Sequence, residues 1–177
     1  MFKNKALEQL KSKGRIVFKS PFLKNLTLSE AIEFTQICHP RKFKAGEYIY
    51  HQNDPGNGMY FLEEGIIELI VENPIDNTEE AVFTLEPPAV FGNLSLSYEM
   101  RRMSSARAKI DCNVLGFFNS DLQMVQKRYP QIAIKLMDEI NYSIAQQYTK
   151  TLKALMALSS ESDTYQIQFD ELKKVDD

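Results

Sequence analysis

Between Arg41 and Phe118 the chain is a succession of short strand-forming runs, each cut off by turn residues. Tyr48–Gln52 is rich in strand formers and follows the turn Lys44-Ala45-Gly46-Glu47. The dense turn signal Asn53-Asp54-Pro55-Gly56-Asn57-Gly58 leads into Met59-Tyr60-Phe61-Leu62. Gly65 precedes Ile66–Val71, and Asn73-Pro74-Ile75-Asp76-Asn77 closes that run before Ala81–Leu85. Asn113–Phe118 completes the series. Strands this short at this spacing predict a mainly β domain, a barrel or sandwich of the jelly-roll kind.

Helical patterns flank it. Ala6, Leu7 and Leu10 have helical spacing until Ser20-Pro21 interrupts them. Thr27 with Glu30 has the capping-box form ahead of Ala31–Phe34, with Ser29 a competing cap. After Phe118, Asn119 or Ser120 can cap a helix over Asp121–Tyr129, and Pro130 can open a second one running to Leu158. The expected architecture is α+β: helices at both ends of a jelly-roll barrel. Three segments follow: a helical extension (1–21), the main domain (22–158), and a polar tail (159–177) expected to be partly disordered.

Composition limits the function. The 177 residues suffice for one core without staples, and 44% hydrophobic with 25% charged residues is ordinary for a soluble globular protein. A net charge of −3 supplies no basic field for nucleic acid. Two cysteines, Cys38 and Cys112, make no disulfide framework and suit a reducing compartment. The N-terminus lacks a signal-peptide core, and no run approaches membrane-spanning length, so a cytoplasmic protein without membrane insertion is expected.

One segment carries chemistry: Phe91-Gly92-Asn93-Leu94-Ser95-Leu96-Ser97-Tyr98-Glu99-Met100-Arg101-Arg102-Met103-Ser104-Ser105-Ala106-Arg107-Ala108. Gly92 lets backbone approach a ligand, a short helix offers unpaired N–H groups, and an arginine fork can clamp an anion. The other reading of Arg102 is a solvated loop arginine.

The segment resembles the phosphate-binding cassette of cyclic-nucleotide-binding domains, F-G-E-L-A-L followed after about five residues by R-A-A-T-V-x-A, with the family's commonest Gly-to-Arg spacing. Lys44–Glu47, Asp54-Pro55-Gly56, Tyr60–Gly65 and Ala108–Cys112 with Leu115 also resemble family positions in family order. The resemblance covers about residues 22–158. It implies a ligand site at Gly92, Asn93, Leu94, Ser95, Arg102, Met103, Ser104 and Ser105, with Arg102 on the cyclic phosphate. Asn93 stands where the family has the glutamate that accepts from the ribose hydroxyl. Either its amide accepts that bond, less strongly than a carboxylate, or it caps the short helix. Met103 replaces a small residue. It either partly fills the pocket or turns inward as core filler, and it lacks a hydroxyl for a guanine edge. The ligand implied is cAMP in preference to cGMP.

Other chemistries have less support. His39 and His51 are far apart with no metal-ligand spacing, Cys38-His39 lacks a third partner, and no phosphate loop or nucleophile elbow is present, so no enzymatic activity, metal or bound cofactor is expected. The residues after Leu158 are too few for a helix-turn-helix, which argues against direct DNA binding. Met137, Ile140, Ile144, Tyr148, Leu152 and Leu155 form an apolar line along the last helix. It predicts a homodimer seam, the alternative being that the stripe packs back on its own barrel. Tyr148 is the candidate lid over a base, and output would pass through dimerisation or a separate effector protein. The competing function is a degenerate fold kept as a dimerisation or protein-interaction scaffold, or a receptor for another anion.

Overall fold

Thr27 fixes where the first helix begins. Its hydroxyl accepts from the Glu30 N–H (3.3 Å) while the Glu30 carboxylate accepts from the Thr27 N–H (2.7 Å), the reciprocal capping box, so α1 spans Leu28–Ile37 and Ser29 takes no part in the cap. The computed structural model describes residues 20–73, 78–96 and 100–158. The expected N-terminal helical pattern at Ala6–Leu10 and the tail after Leu158 lie outside the described residues. The chain divides into two compact units, residues 1–139 and 140–177.

Among its described residues, unit 1 holds eight strands: β1 (His39–Phe43), β2 (Tyr48–Tyr50), β3 (Gly58–Glu64), β4 (Ile67–Glu72), β5 (Glu79–Leu85), β6 (Ala89–Phe91), β7 (Ser105–Ala108) and β8 (Cys112–Phe118). They form two antiparallel sheets, ordered β1-β8-β3-β6 and β2-β7-β4-β5. This is the expected mainly β architecture with flanking helices. Two strands escaped the sequence pattern. β1 contains Pro40 and three basic or ionisable residues, yet it lies at a sheet edge, where a missing N–H costs no ladder bond. β6 is also an edge strand and only three residues long.

The unbroken apolar run of β3 has a direct cause: both of its faces are covered. On one face Phe61 and Phe117 meet Phe34 of α1 at ring-centroid distances of 5.7 and 4.9 Å, and Phe22 packs edge-on against Phe61 at 6.1 Å. Phe34 is wholly buried, a contribution of about 1.5–3 kcal/mol from water exclusion alone. On the other face Tyr60, Leu62, Phe91 and Val114 meet Ile67, Ala106 and Ala108 of the second sheet, forming the interior of the jelly roll.

Helix α2 (Asn119–Arg128) starts two positions earlier than the expected Asp121. Neither Asn119 nor Ser120 is the cap. β8 runs on to Phe118, whose N–H donates to Asp121 (2.9 Å), and the same carboxylate receives His39 Nε2 at 3.0–3.1 Å. Helix α3 (Pro130–Leu158) opens on Pro130 as expected, where the missing N–H would be unpaired in any case. Its first part buries Ile132, Ala133 and Leu136, and Lys135 grips Glu30 at 2.6 Å. The Asn25 amide donates to Glu139. In unit 2, Ile144, Leu152 and Leu155 are half-buried, whereas Tyr148 is 47% exposed.

Candidate functional site

Gly92 leaves β6 at φ +72°, in the left-handed region that glycine alone enters freely. A single 3-10 turn, Asn93–Ser95, follows it. A Cβ on Gly92 would sit 2.6 Å from a terminal guanidinium nitrogen of Arg102, so the position excludes a side chain on steric grounds as well. Gly92 occupies the cap position and no side chain caps the turn, which removes the reading of Asn93 as a helix cap. Asn93 and Ser95 are both buried, and Leu94 is half-buried.

Arg102 is the centre of the site. It is 4% exposed, which excludes the solvated-loop reading. Its Nη1 donates to Gly92 O (3.0 Å) and Ser95 Oγ (3.4 Å), and its Nη2 donates to Gly58 O (2.9 Å). The guanidinium lies 4.3 Å above the Tyr50 ring centre and 5.9 Å from that of Tyr60. The backbone locks the arginine from both sides: Arg102 N donates to Asp54 O (2.9 Å), and Asn53 N donates to Arg102 O (2.8 Å). Gly56 N bonds Met100 O (2.9 Å), so the turn 53–56 grips the cassette along its length.

The electrostatic balance is unusual. Burying a guanidinium costs several kcal/mol, and neutral carbonyls with ring faces offset only part of that. Among the described residues no carboxylate pairs with Arg102, and its Nε is buried with no hydrogen-bond partner. The arrangement is a fixed cation with one nitrogen, Nε, left without a partner, beside aromatic walls. It is suited to an anion that can also shed water. Burial pushes the Tyr50 phenol up to about 12 against the opposing pull of Arg102, and burial likewise raises Tyr60. Both rings are therefore neutral walls at physiological pH.

Of the cassette residues expected to meet a ligand, the fold brings Gly92, Asn93, Ser95 and Arg102 together. Met103 does not join them. It is 72% exposed, so it neither fills the pocket nor turns inward, because the strand alternation that buries Ala106 and Ala108 begins two residues later. Ser104 is half-buried, and the Ser105 hydroxyl accepts from Gln52 N (2.8 Å), tying β7 to the end of β2. Sequence reasoning missed Gly58, Tyr50 and Tyr60. The turn-rich stretch before Met59 signalled a loop, but no spacing ties Gly58 to Arg102.

The pair Cys38-His39 forms no dyad. His39 is bonded to Asp121, and burial, with Asp121 and Glu63 nearby, pushes the Cys38 thiol well above its usual range. Among the described residues no helix is long and apolar enough to cross a membrane.

Residues 40–129 match the model of a cyclic nucleotide-binding domain, about half of the chain and the half that holds the two sheets and the arginine cage. The chain belongs to the cyclic nucleotide-binding domain family, a regulatory binding domain rather than a catalytic one. It is 35% identical over 94 residues to a cAMP-dependent protein kinase regulatory subunit of Emericella nidulans, covering 53% of this chain and 22% of that protein. It is 28% identical over 117 residues to the Cyclic AMP receptor protein of Thermus thermophilus, covering 66% of this chain and 54% of that protein. The chain thus spans about a fifth of the first relative and about half of the second. Among solved structures, the Thermus thermophilus Catabolite Activator Protein aligns with a TM-score of 0.69 at 26% identity, over 78% of this chain and 63% of that one. A cyclic nucleotide-binding domain from Methylobacillus flagellatus aligns with a TM-score of 0.71 at 13% identity, over 86% and 85%, a likeness of fold.

Proposed function

We propose that this chain is a ligand-sensing module that binds cAMP in preference to cGMP and passes the signal on through its C-terminal helix as a homodimer or to a separate effector. The observation that carries the ligand reading is Arg102: a guanidinium only 4% exposed, held by two carbonyls, with no carboxylate partner among the described residues and an orphaned Nε. A cyclic phosphodiester supplies the missing charge. Asn93, buried at the turn beside it, stands where an acceptor for the ribose hydroxyl is wanted, and its neutral amide would hold that hydroxyl less strongly than a carboxylate. The preference for cAMP rests on the family resemblance alone: the position after the cassette arginine, where a hydroxyl would meet a guanine edge, carries the outward-facing Met103. Output through the helix is supported by the apolar line Ile144, Leu152 and Leu155 in unit 2, with Tyr148 exposed enough to serve as a lid.

Isothermal titration tests the reading. Saturable heat with cAMP, and weaker binding of cGMP, is the expected result. The absence of saturable heat with either nucleotide at millimolar concentration would instead favour the scaffold role.

A further inference from the structure

Two tyrosines of β2 each meet an arginine of the cassette, and the two pairs differ in one respect. Arg107 lies 5.7 Å from the ring centre of Tyr48, and its charge is met by Glu68 (3.3 Å) and Glu79 (3.4 Å). Arg102 lies closer, 4.3 Å above the ring of Tyr50, and among the described residues no carboxylate meets it. The first pair is a neutralised cluster. The second is a held cation whose charge is still free.

Tyr50 is fixed relative to Arg102 from several directions. It pairs with Ala106 of β7, the strand that follows the arginine, and its ring packs near Tyr60 and Phe91 at centroid distances of 6.0 and 6.2 Å. Just beyond it, Gln52 N donates to Ser105 Oγ (2.8 Å), and Asn53 N donates to Arg102 O (2.8 Å). Ring and guanidinium therefore belong to one hydrogen-bonded corner. A carboxylate in place of the ring would hold the arginine too, but it would cancel the charge and compete with an anion for the N–H donors. An aliphatic side chain would cover the guanidinium without attracting it. A ring face attracts the cation through its quadrupole and leaves the net charge in place. Burial pushes the Tyr50 phenol up to about 12, so the ring adds no charge of its own at physiological pH.

We infer that Tyr50 is a positioning residue for the anion grip: its ring holds the Arg102 guanidinium in place without neutralising it. The inference rests on the nucleotide-binding reading above, and it concerns the phosphate end of the ligand rather than the base. What this position must supply is an electron-rich aromatic face, neither a hydroxyl nor apolar bulk. A desolvated cation–ring contact predicts that Tyr50→Leu lowers cAMP affinity by between about twofold and about thirtyfold, and cGMP affinity by the same factor. Tyr50→Phe should bind as the wild type does. Tyr48→Leu, which removes the other ring, should leave the affinity unchanged.

Because Tyr50→Leu also removes packing, the deciding variant carries a ring-fluorinated phenylalanine in place of Tyr50, which keeps the ring's shape and withdraws its negative face. In isothermal titration of the full chain it should bind cAMP more weakly than Tyr50→Phe, a difference that lost packing would not produce. Equal affinity in these two variants, with wild-type binding intact, overturns the positioning role and leaves nucleotide binding standing. A loss in Tyr50→Phe as large as in Tyr50→Leu assigns the effect to the hydroxyl and overturns it as well. So does a loss for cAMP that cGMP does not share, which would place Tyr50 against the base, or a matching loss in Tyr48→Leu. No saturable heat with the wild type overturns both readings.

Discussion

At the scale of single residues, the site depends on two positions that exclude alternatives. Gly92 must hold φ +72° and leave room for Arg102, whose nearest nitrogen would stand 2.6 Å from a Cβ. Gly92→Ala should cost about 1–3 kcal/mol from the left-handed backbone alone, read as a lowered denaturation midpoint. It should also weaken ligand binding, because the guanidinium must move. Arg102 itself was legible in part. The spacing from Gly92 marked it as an anion-binding candidate, but its burial over Tyr50 was not legible, since that depends on β2 crossing to β7. Met103 shows the opposite failure. Its neighbours in sequence suggested a pocket side chain, and the phase of β7 sends it outward.

At the scale of elements, boundaries were readable wherever a local bond makes them. The Thr27–Glu30 box and Pro130 are such signals, and both helices start where they indicate. The start of α2 was not readable, because Asp121 serves the backbone of Phe118 and the ring of His39 at once, and His39 comes from the far end of the domain. Nor was β1, an edge strand that tolerates proline because its pairing is one-sided. The α1 cap also carries a pH dependence. The bond from Lys135, with that from the Thr27 N–H, lowers the Glu30 carboxyl from 4.5 to about 2. A carboxyl depressed by folding adds stability that is complete above its unfolded value and is lost as pH falls through the folded one. The contribution is therefore present above about pH 4.5 and disappears toward pH 2. Glu30→Gln should lower stability at neutral pH and flatten the acid limb between those values, measured by urea unfolding across pH.

At the scale of the whole molecule, the two sheets form a frame with an aromatic interior, and among the described residues its one buried cation, Arg102, lacks a paired anion. Tyr60 stacks on Phe91 at 5.3 Å, Tyr50 lies 6.0 Å from Tyr60, and Arg102 rests over both tyrosines. The family pattern made the jelly roll and the cassette visible in the sequence, because both are written in local spacing. The cage around Arg102 draws on β2, β3 and the turn before β3, and contacts of that range leave no periodic trace. A frame already built around the cation implies that the ligand is gripped by its phosphate first and by its base second. Matched isothermal titrations with cAMP and with adenosine, on the wild type and on Arg102→Ala, test that order directly. The expected result is saturable binding of cAMP to the wild type, no measurable binding of adenosine, and loss of cAMP binding in the variant. Adenosine binding as tightly as cAMP, or cAMP binding unchanged in Arg102→Ala, would contradict it.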